Sequence, residues 1–376
     1  MNFELDETQE MIRDSVRSFV AGRVSQPAMK WNEGHGDARE ALCELAGLGL
    51  LGVLVSEKAG GAGLDVLTLA ISLAELARGD AGLAAMVAHH NAVALGHLLA
   101  AGYDNKPQLQ RFAQGDALLC RAASEGSDHL DGATITTTAT KQADGAWSLK
   151  GHKRLVPLGN LASHSIVTAM TEAGPIALLV DLDAAGVTRT LSDTLVGLRT
   201  CDLADLTFEA VAVPEANFLG DAAAVASRVA ALARITTAAI ALGVTRAALA
   251  AGVTYSLERK QFGKPIARFQ PIQWQTADSA TELEAAELLT WRAAWQLSTS
   301  GATAHSVEKA AIFALESAQK VADRALQMHG GYGYTVDFPV ERHFRDAATL
   351  RILADGPDVQ RVAIAKGLAT GANGVR

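Results

Sequence analysis

The sequence predicts an α+β fold in three consecutive parts: an N-terminal helical domain over residues 1–115, a central antiparallel β domain over 116–222, and a C-terminal four-helix bundle over 223–376. Two patterns predict it. Apolar residues recur at helical spacing in both outer parts, whereas the middle part holds short β-branched runs divided by turn residues. A chain of 376 residues is also too long for one compact core and fits two or three packed units.

In the first part Met11, Val16, Phe19 and Val20 follow helical spacing, and the pattern continues over residues 67–76 and 83–99. Glycine-bearing loops interrupt it at 48–52 and 58–63. In the middle part residues 134–140, 147–149, 165–169, 176–180 and 206–210 read as strands, with turns at Asp144-Gly145 and Glu172-Ala173-Gly174. The last part has helical runs near 224–258, 272–299, 304–329 and 357–369, joined by short connections as a bundle requires. Residues 339–347 alternate charges and read as a loop fixed by a salt-bridge network.

Composition narrows the function classes. Lys plus Arg number 33 and Asp plus Glu 41, so the net charge is −8 and no basic run offers a nucleic-acid or anionic-membrane surface. Cys43, Cys120 and Cys201 are scattered and follow no metal-ligand or disulfide-exchange spacing. With an acidic, amphipathic start and no apolar run expected to reach the ~20 residues of a membrane span, the chain reads as a reduced, cytoplasmic protein.

Three stretches carry more information than packing needs. In the first, a helix is closed by Gly263 and the next begins after Pro265, leaving Arg259 at the corner with Phe262 and Gln270 close by. An arginine fork beside amide side chains suits a phosphate or nucleotide, although a solvated Arg at a helix–turn–helix corner explains the same residues. In the second, Gln327 precedes the paired glycines Gly330 and Gly331, where one would suffice for a helix cap and two allow a ligand close to the backbone. The third runs from the charged 339–347 segment to Asp355-Gly356-Pro357-Asp358, which opens the last helix.

Taken in register, these stretches resemble the acyl-CoA dehydrogenase family, as do residues 48–63, the end of the β unit at 198–220, and the long helix that contains Arg234. The resemblance covers essentially the whole chain. It implies FAD as cofactor and an acyl-CoA thioester as substrate, in a homo-oligomer (dimer or tetramer) or a hetero-oligomer with a paralogous subunit. It also suggests an electron-transfer flavoprotein as redox partner. The matching residues imply that Arg259, Phe262, Gln270, Gln327, Gly330 and Gly331 hold the nucleotide half of a neighbouring subunit's FAD, with Arg259 facing the pyrophosphate. Ser127 and Arg234 match positions near the CoA moiety.

The flavin-ring end departs from the family pattern. Gly126-Ser127-Asp128 is kept, but the Thr-Glu-Pro that should precede it reads Arg121-Ala122-Ala123. Where the family has Trp-Ile-Thr-Asn, with a hydroxyl for the flavin N5, this chain has Leu155-Val156-Pro157-Leu158, and proline brings neither hydroxyl nor N–H. The catalytic Glu of most members falls on Ala354, and the alternative position used by a few falls on Ala233. Asp355 is the remaining candidate base, one residue displaced and one methylene shorter, and it also suits a turn. His89 and His90 lie on a helix that borders the acyl chain in the family, where lone histidines on an Ala-rich helix are usually structural.

Three functions stay open. The chain is an α,β-oxidising FAD enzyme with an altered base, a non-catalytic subunit that supports a partner's FAD, or a repurposed non-redox acyl-CoA binder in which Arg121 anchors a carboxylate or phosphate.

Overall fold

A computed structural model describes residues 4–34, 38–126, 135–192, 195–299, 305–353 and 355–369. Ser127 and Ala354 lie outside the described residues.

The first helix, Glu7–Phe19, starts on a capping box: the Asp6 carboxylate accepts from Gln9 N at 2.8 Å, and the Gln9 side chain accepts from Asp6 N at 3.1 Å. Its inward face is carried by Val16, whereas Met11 is 67% exposed and does not belong to the predicted stripe. Helix Val66–Gly79 is capped by Asp65 and ends at Asp80, which in turn caps Ala81–Ala88. That second helix runs without a break through a π-helical segment, His89–Leu95, into Gly96–Ala100. The wider π turn sets His89 and Asn91 at angles that a regular helix would not give. The periodicity alone does not disclose it.

The central sheet has strands β1 Leu119–Ala122, β2 Thr138–Lys141, β3 Trp147–Pro157, β4 His164–Thr171, β5 Gly174–Asp181, β6 Val187–Leu191, β7 Leu203–Val213 and β8 Phe218–Asp221. Their order is β6-β7-β3-β2-β4-β5-β8, with β1 also on β4. The sheet is antiparallel as predicted except at β4, which takes β1 in parallel register and meets β2 in parallel at Thr138–Met170. Register shifts in the β3/β7 pair fall between Leu149 and Gly151 and between Lys153 and Val156. The second distorts the backbone at Leu155, where φ is +49°.

The bundle is built on the 37-residue helix Ala222–Glu258, with Gln270–Thr299, Ser306–Met328 and Gly356–Ala369 close to their expected bounds. The salt bridge expected in 339–347 is present, since Arg345 Nε meets Glu341 Oε2 at 2.7 Å, but the loop is not. These residues form the helix Val340–Leu350. Val340, His343, Ala347 and Leu350 are buried together with Arg342 and Asp346, and those buried charges mask the helical spacing in the sequence.

One composition-based expectation is corrected. Ala81–Ala100 and Ala222–Glu258 are both long and apolar enough to cross a membrane, but 78% and 61% of their most apolar windows are buried inside this fold. They are apolar on most sides because other helices surround them.

Ala222–Glu258 and Val66–Gly79 approach closely at Gly243. A Cβ there would stand 2.6 Å from the Ala77 Cβ and nearer still to the Ala74 carbonyl oxygen. Gly243→Ala is therefore expected to force the helices apart and cost about 1–3 kcal/mol, read from the denaturant midpoint of unfolding. An unchanged midpoint would show that the crossing tolerates the extra methyl.

Candidate functional site

Two surfaces carry the residues singled out by sequence. The first is a corner where two bundle helices end. Tyr255, one turn before the end of Ala222–Glu258, stacks on His329 at 4.2 Å between ring centroids, and Phe338 closes on both rings edge-on. This aromatic cluster, which sequence reasoning missed, draws the Arg259 corner against the Gly330-Gly331 turn. The Arg259 guanidinium lies 6.0 Å from the Tyr332 ring centroid. A short hairpin of Lys260–Gln261 and Lys264–Pro265 then turns the chain, and Phe262 at its tip is 92% exposed. Phe262 meets Phe269 edge-on at 6.2 Å, next to the exposed Gln270 that begins the following helix.

Gln327, Gly330 and Gly331 are exposed as well, and a Cβ added to either glycine would meet nothing within 4 Å. Packing within the chain therefore requires neither glycine; the left-handed φ of +56° accounts for Gly330, and nothing within the chain accounts for Gly331. The corner offers a cation without a carboxylate partner among the described residues, an amide, open backbone and bare aromatic rings.

The second surface lies between the π-helical segment, β1 and the start of the last helix. Asp355 has φ +69° and a half-exposed side chain whose Oδ2 accepts from Arg234 Nη2 at 2.7 Å. Arg234 Nη1 reaches Glu308 Oε1 at 3.2 Å. Both terminal nitrogens of Arg234 thus serve carboxylates of this chain, and one oxygen of Asp355 is committed to an arginine. His90 is fully buried with both ring nitrogens engaged: Nδ1 accepts from Leu119 N at 3.1 Å and Nε2 lies 3.0 Å from the Phe112 carbonyl. It is a structural tie between helix and strand. His89 Nε2 accepts the Arg121 backbone N–H at 2.9 Å, and burial together with the Arg121 charge pushes its pKa down to about 3.

Beside this cleft Lys153, fully buried, places its Nζ 2.5 Å from Glu125 Oε1 and 3.2 Å from the Ala123 carbonyl. Glu125 also takes the backbone N–H groups of Thr136 and Thr137 at 2.6 and 3.1 Å. Burial pushes the Glu125 carboxyl up, but these hydrogen bonds outweigh it and hold the pKa at about 2. The pair pins the loop before Gly126 to β3. Nothing in the sequence around Glu125 marks it as buried.

The FAD that the resemblance implies would meet two unlike surfaces. The nucleotide corner fits, because it is open, cationic and not explained by internal packing. The ring end does not, because Pro157 supplies no donor where the family has a hydroxyl, and Arg121 stands where the family has a threonine, its Nε enclosed without a partner.

Comparison with known proteins agrees with the architecture. The acyl-CoA dehydrogenase N-terminal, middle and C-terminal domains match residues 6–116, 120–211 and 223–369. The human mitochondrial short-chain specific acyl-CoA dehydrogenase is 33% identical over 372 residues, covering 96% of this chain and 90% of its own. Butyryl-CoA dehydrogenase from Megasphaera elsdenii superposes with a TM-score of 0.95 at 30% identity, over 98% of this chain and 100% of its own. A glutaryl-CoA dehydrogenase from Mycobacterium smegmatis in complex with FADH2 gives 0.92 at 25% identity, over 99% and 97%. The chain belongs to the acyl-CoA dehydrogenase family.

Proposed function

We propose that this chain is a subunit of an FAD-dependent, acyl-CoA-oxidising oligomer in which it supports the nucleotide half of a neighbouring subunit's FAD, while its own cleft lacks a free base. The observation that carries this reading is the commitment of Asp355. The oxidation removes a proton from the carbon alpha to the thioester, so it needs a carboxylate whose oxygen reaches that carbon unhindered. Asp355 is the carboxylate nearest the family's usual position, and Arg234 holds it at 2.7 Å. The bound FAD would supply the redox chemistry, and the residues here supply its support: Arg259 for the pyrophosphate charge, Gly330 and Gly331 for close backbone approach, and Phe262 as an exposed apolar cover.

A second reading is favoured by position. Asp355 stands at the cleft with about half of its side chain open, so an arriving thioester that displaced Arg234 would free it as the base. Exchange of the α-hydrogens of butyryl-CoA with D2O, followed by NMR, separates the two. The first reading predicts exchange no faster than without protein, and no effect of Asp355→Asn. Protein-dependent exchange that Asp355→Asn abolishes would establish the second.

A further inference from the structure

We infer that Arg121 anchors a carboxylate borne on the acyl group of the bound thioester, so that the preferred ligand is a carboxylated acyl-CoA and not a plain fatty acyl-CoA. This rests on the acyl-CoA reading above and adds the class of acyl group.

The starting point is an uncompensated cation. Arg121 is the third residue of β1, between the fully buried Cys120 and Ala122. Its backbone N–H is spent on His89. Its side chain is partly buried, its Nε is enclosed without a hydrogen-bond partner, and no described residue forms an ion pair with the guanidinium. An arginine with no partner in such a position is costly unless an anion completes it.

The groups that face it do not do so. His89 belongs to the π-helical segment and His97 to the helix that follows, and burial keeps both neutral, with the Arg121 charge adding to the effect. His97 Nδ1 is itself buried without a partner. Asp355 is the carboxylate within electrostatic reach, and Arg234 already holds its Oδ2. One cation and one unused imidazole nitrogen are left within electrostatic reach of each other.

The geometry selects the ligand. A guanidinium presents paired N–H groups that match the two oxygens of a carboxylate. One carboxylate balances one arginine, whereas a phosphate brings a further negative charge with no second cation to meet it. A plain alkyl chain would leave the guanidinium desolvated and unpaired. Because Arg121 is within electrostatic reach of Asp355, next to the family's proton-abstracting position, the carboxylate belongs to the acyl group and not to the CoA.

Titration calorimetry of the purified protein with length-matched esters tests this. Glutaryl-CoA would be compared with pentanoyl-CoA, and succinyl-CoA with butyryl-CoA, using free CoA as reference. The carboxylated ester of at least one pair should bind about tenfold more tightly or better, the scale of one charge-assisted bidentate contact. Arg121→Gln should reduce that preference to within about twofold, and Arg121→Lys should keep part of it. Equal or tighter binding of the plain ester in both pairs overturns the anchor and leaves the acyl-CoA reading intact, a comparison that needs no variant. A preference that survives Arg121→Gln assigns the carboxylate to another residue and also overturns it. If neither the esters nor CoA bind, the acyl-CoA reading fails and the anchor falls with it.

Discussion

Lys153→Met is expected to destabilise the folded chain by roughly 3–5 kcal/mol at neutral pH, the usual effect of removing one partner of a buried ion pair. The Lys153 side chain is 0% exposed and that of Glu125 6%, so no water replaces the lost ammonium. The cost lies in the carboxylate left behind more than in the value of the pair. Acid should therefore reverse part of it. In the wild type the depressed Glu125 pKa gives stability that is fully present above the ordinary value of 4.5 and is lost as pH falls towards about 2. In the variant the Thr136 and Thr137 hydrogen bonds remain but the Lys153 contribution is gone, so the Glu125 carboxyl protonates at a higher pH than in wild type and the gap should narrow across that window. Denaturant midpoints at pH 7 and near the acid limit measure both effects. Glu125→Leu combined with Lys153→Met should recover much of the loss, since an apolar pair of similar volume avoids the stranded charge. A single variant within about 1 kcal/mol of wild type at pH 7 would mean that the pair is solvated.

Arg259→Ala is expected to weaken FAD retention by the assembled oligomer about 10- to 100-fold, the scale of a charge-assisted hydrogen bond to a pyrophosphate. The variant should fold normally, because Arg259 is exposed, its backbone hydrogen bonds to Tyr255 and Ile266 survive the substitution, and its side chain makes only the distant approach to Tyr332 among the described residues. Flavin absorbance per mole of oligomer after gel filtration gives the result. Full flavin content at unchanged thermal stability would remove Arg259 from the cofactor site and leave it as a solvated corner residue.

These expectations rest on features of unequal legibility in the sequence. Long helices are easy to read because many residues repeat one period: 224–258 was expected and Ala222–Glu258 is found. The helical period of Val340–Leu350 does not stand out in the sequence because its buried side mixes Arg342, His343 and Asp346 with the apolar residues. Short strands such as β1, β6 and β8 have four or five residues, too few for alternation to stand out, and β1 also contains an arginine. The strand order, with β1 joining β4 in parallel, depends on tertiary pairing that no local pattern encodes.

The site divides in the same way. Gly330 and Gly331 are conspicuous because paired glycines at a helix end exceed what a cap needs. The Tyr255–His329 stack that brings this turn to Arg259 joins residues 74 positions apart, by 329 − 255, and has no sequence signature. Asp355 was legible as the nearest carboxylate to the missing Glu, but its hold by Arg234 spans 121 positions and only the fold discloses it. Arg121 was legible as a break in a motif; its enclosure was not.

The most direct test of the central claim is the visible absorbance spectrum of the purified chain, made alone and made together with a catalytically complete paralogue. The chain alone should show little flavin band, and the co-purified oligomer should show flavin that acyl-CoA bleaches. A chain that purifies alone with close to one FAD per subunit, bleached by an acyl-CoA, would contradict it and make this subunit an oxidising enzyme in its own right.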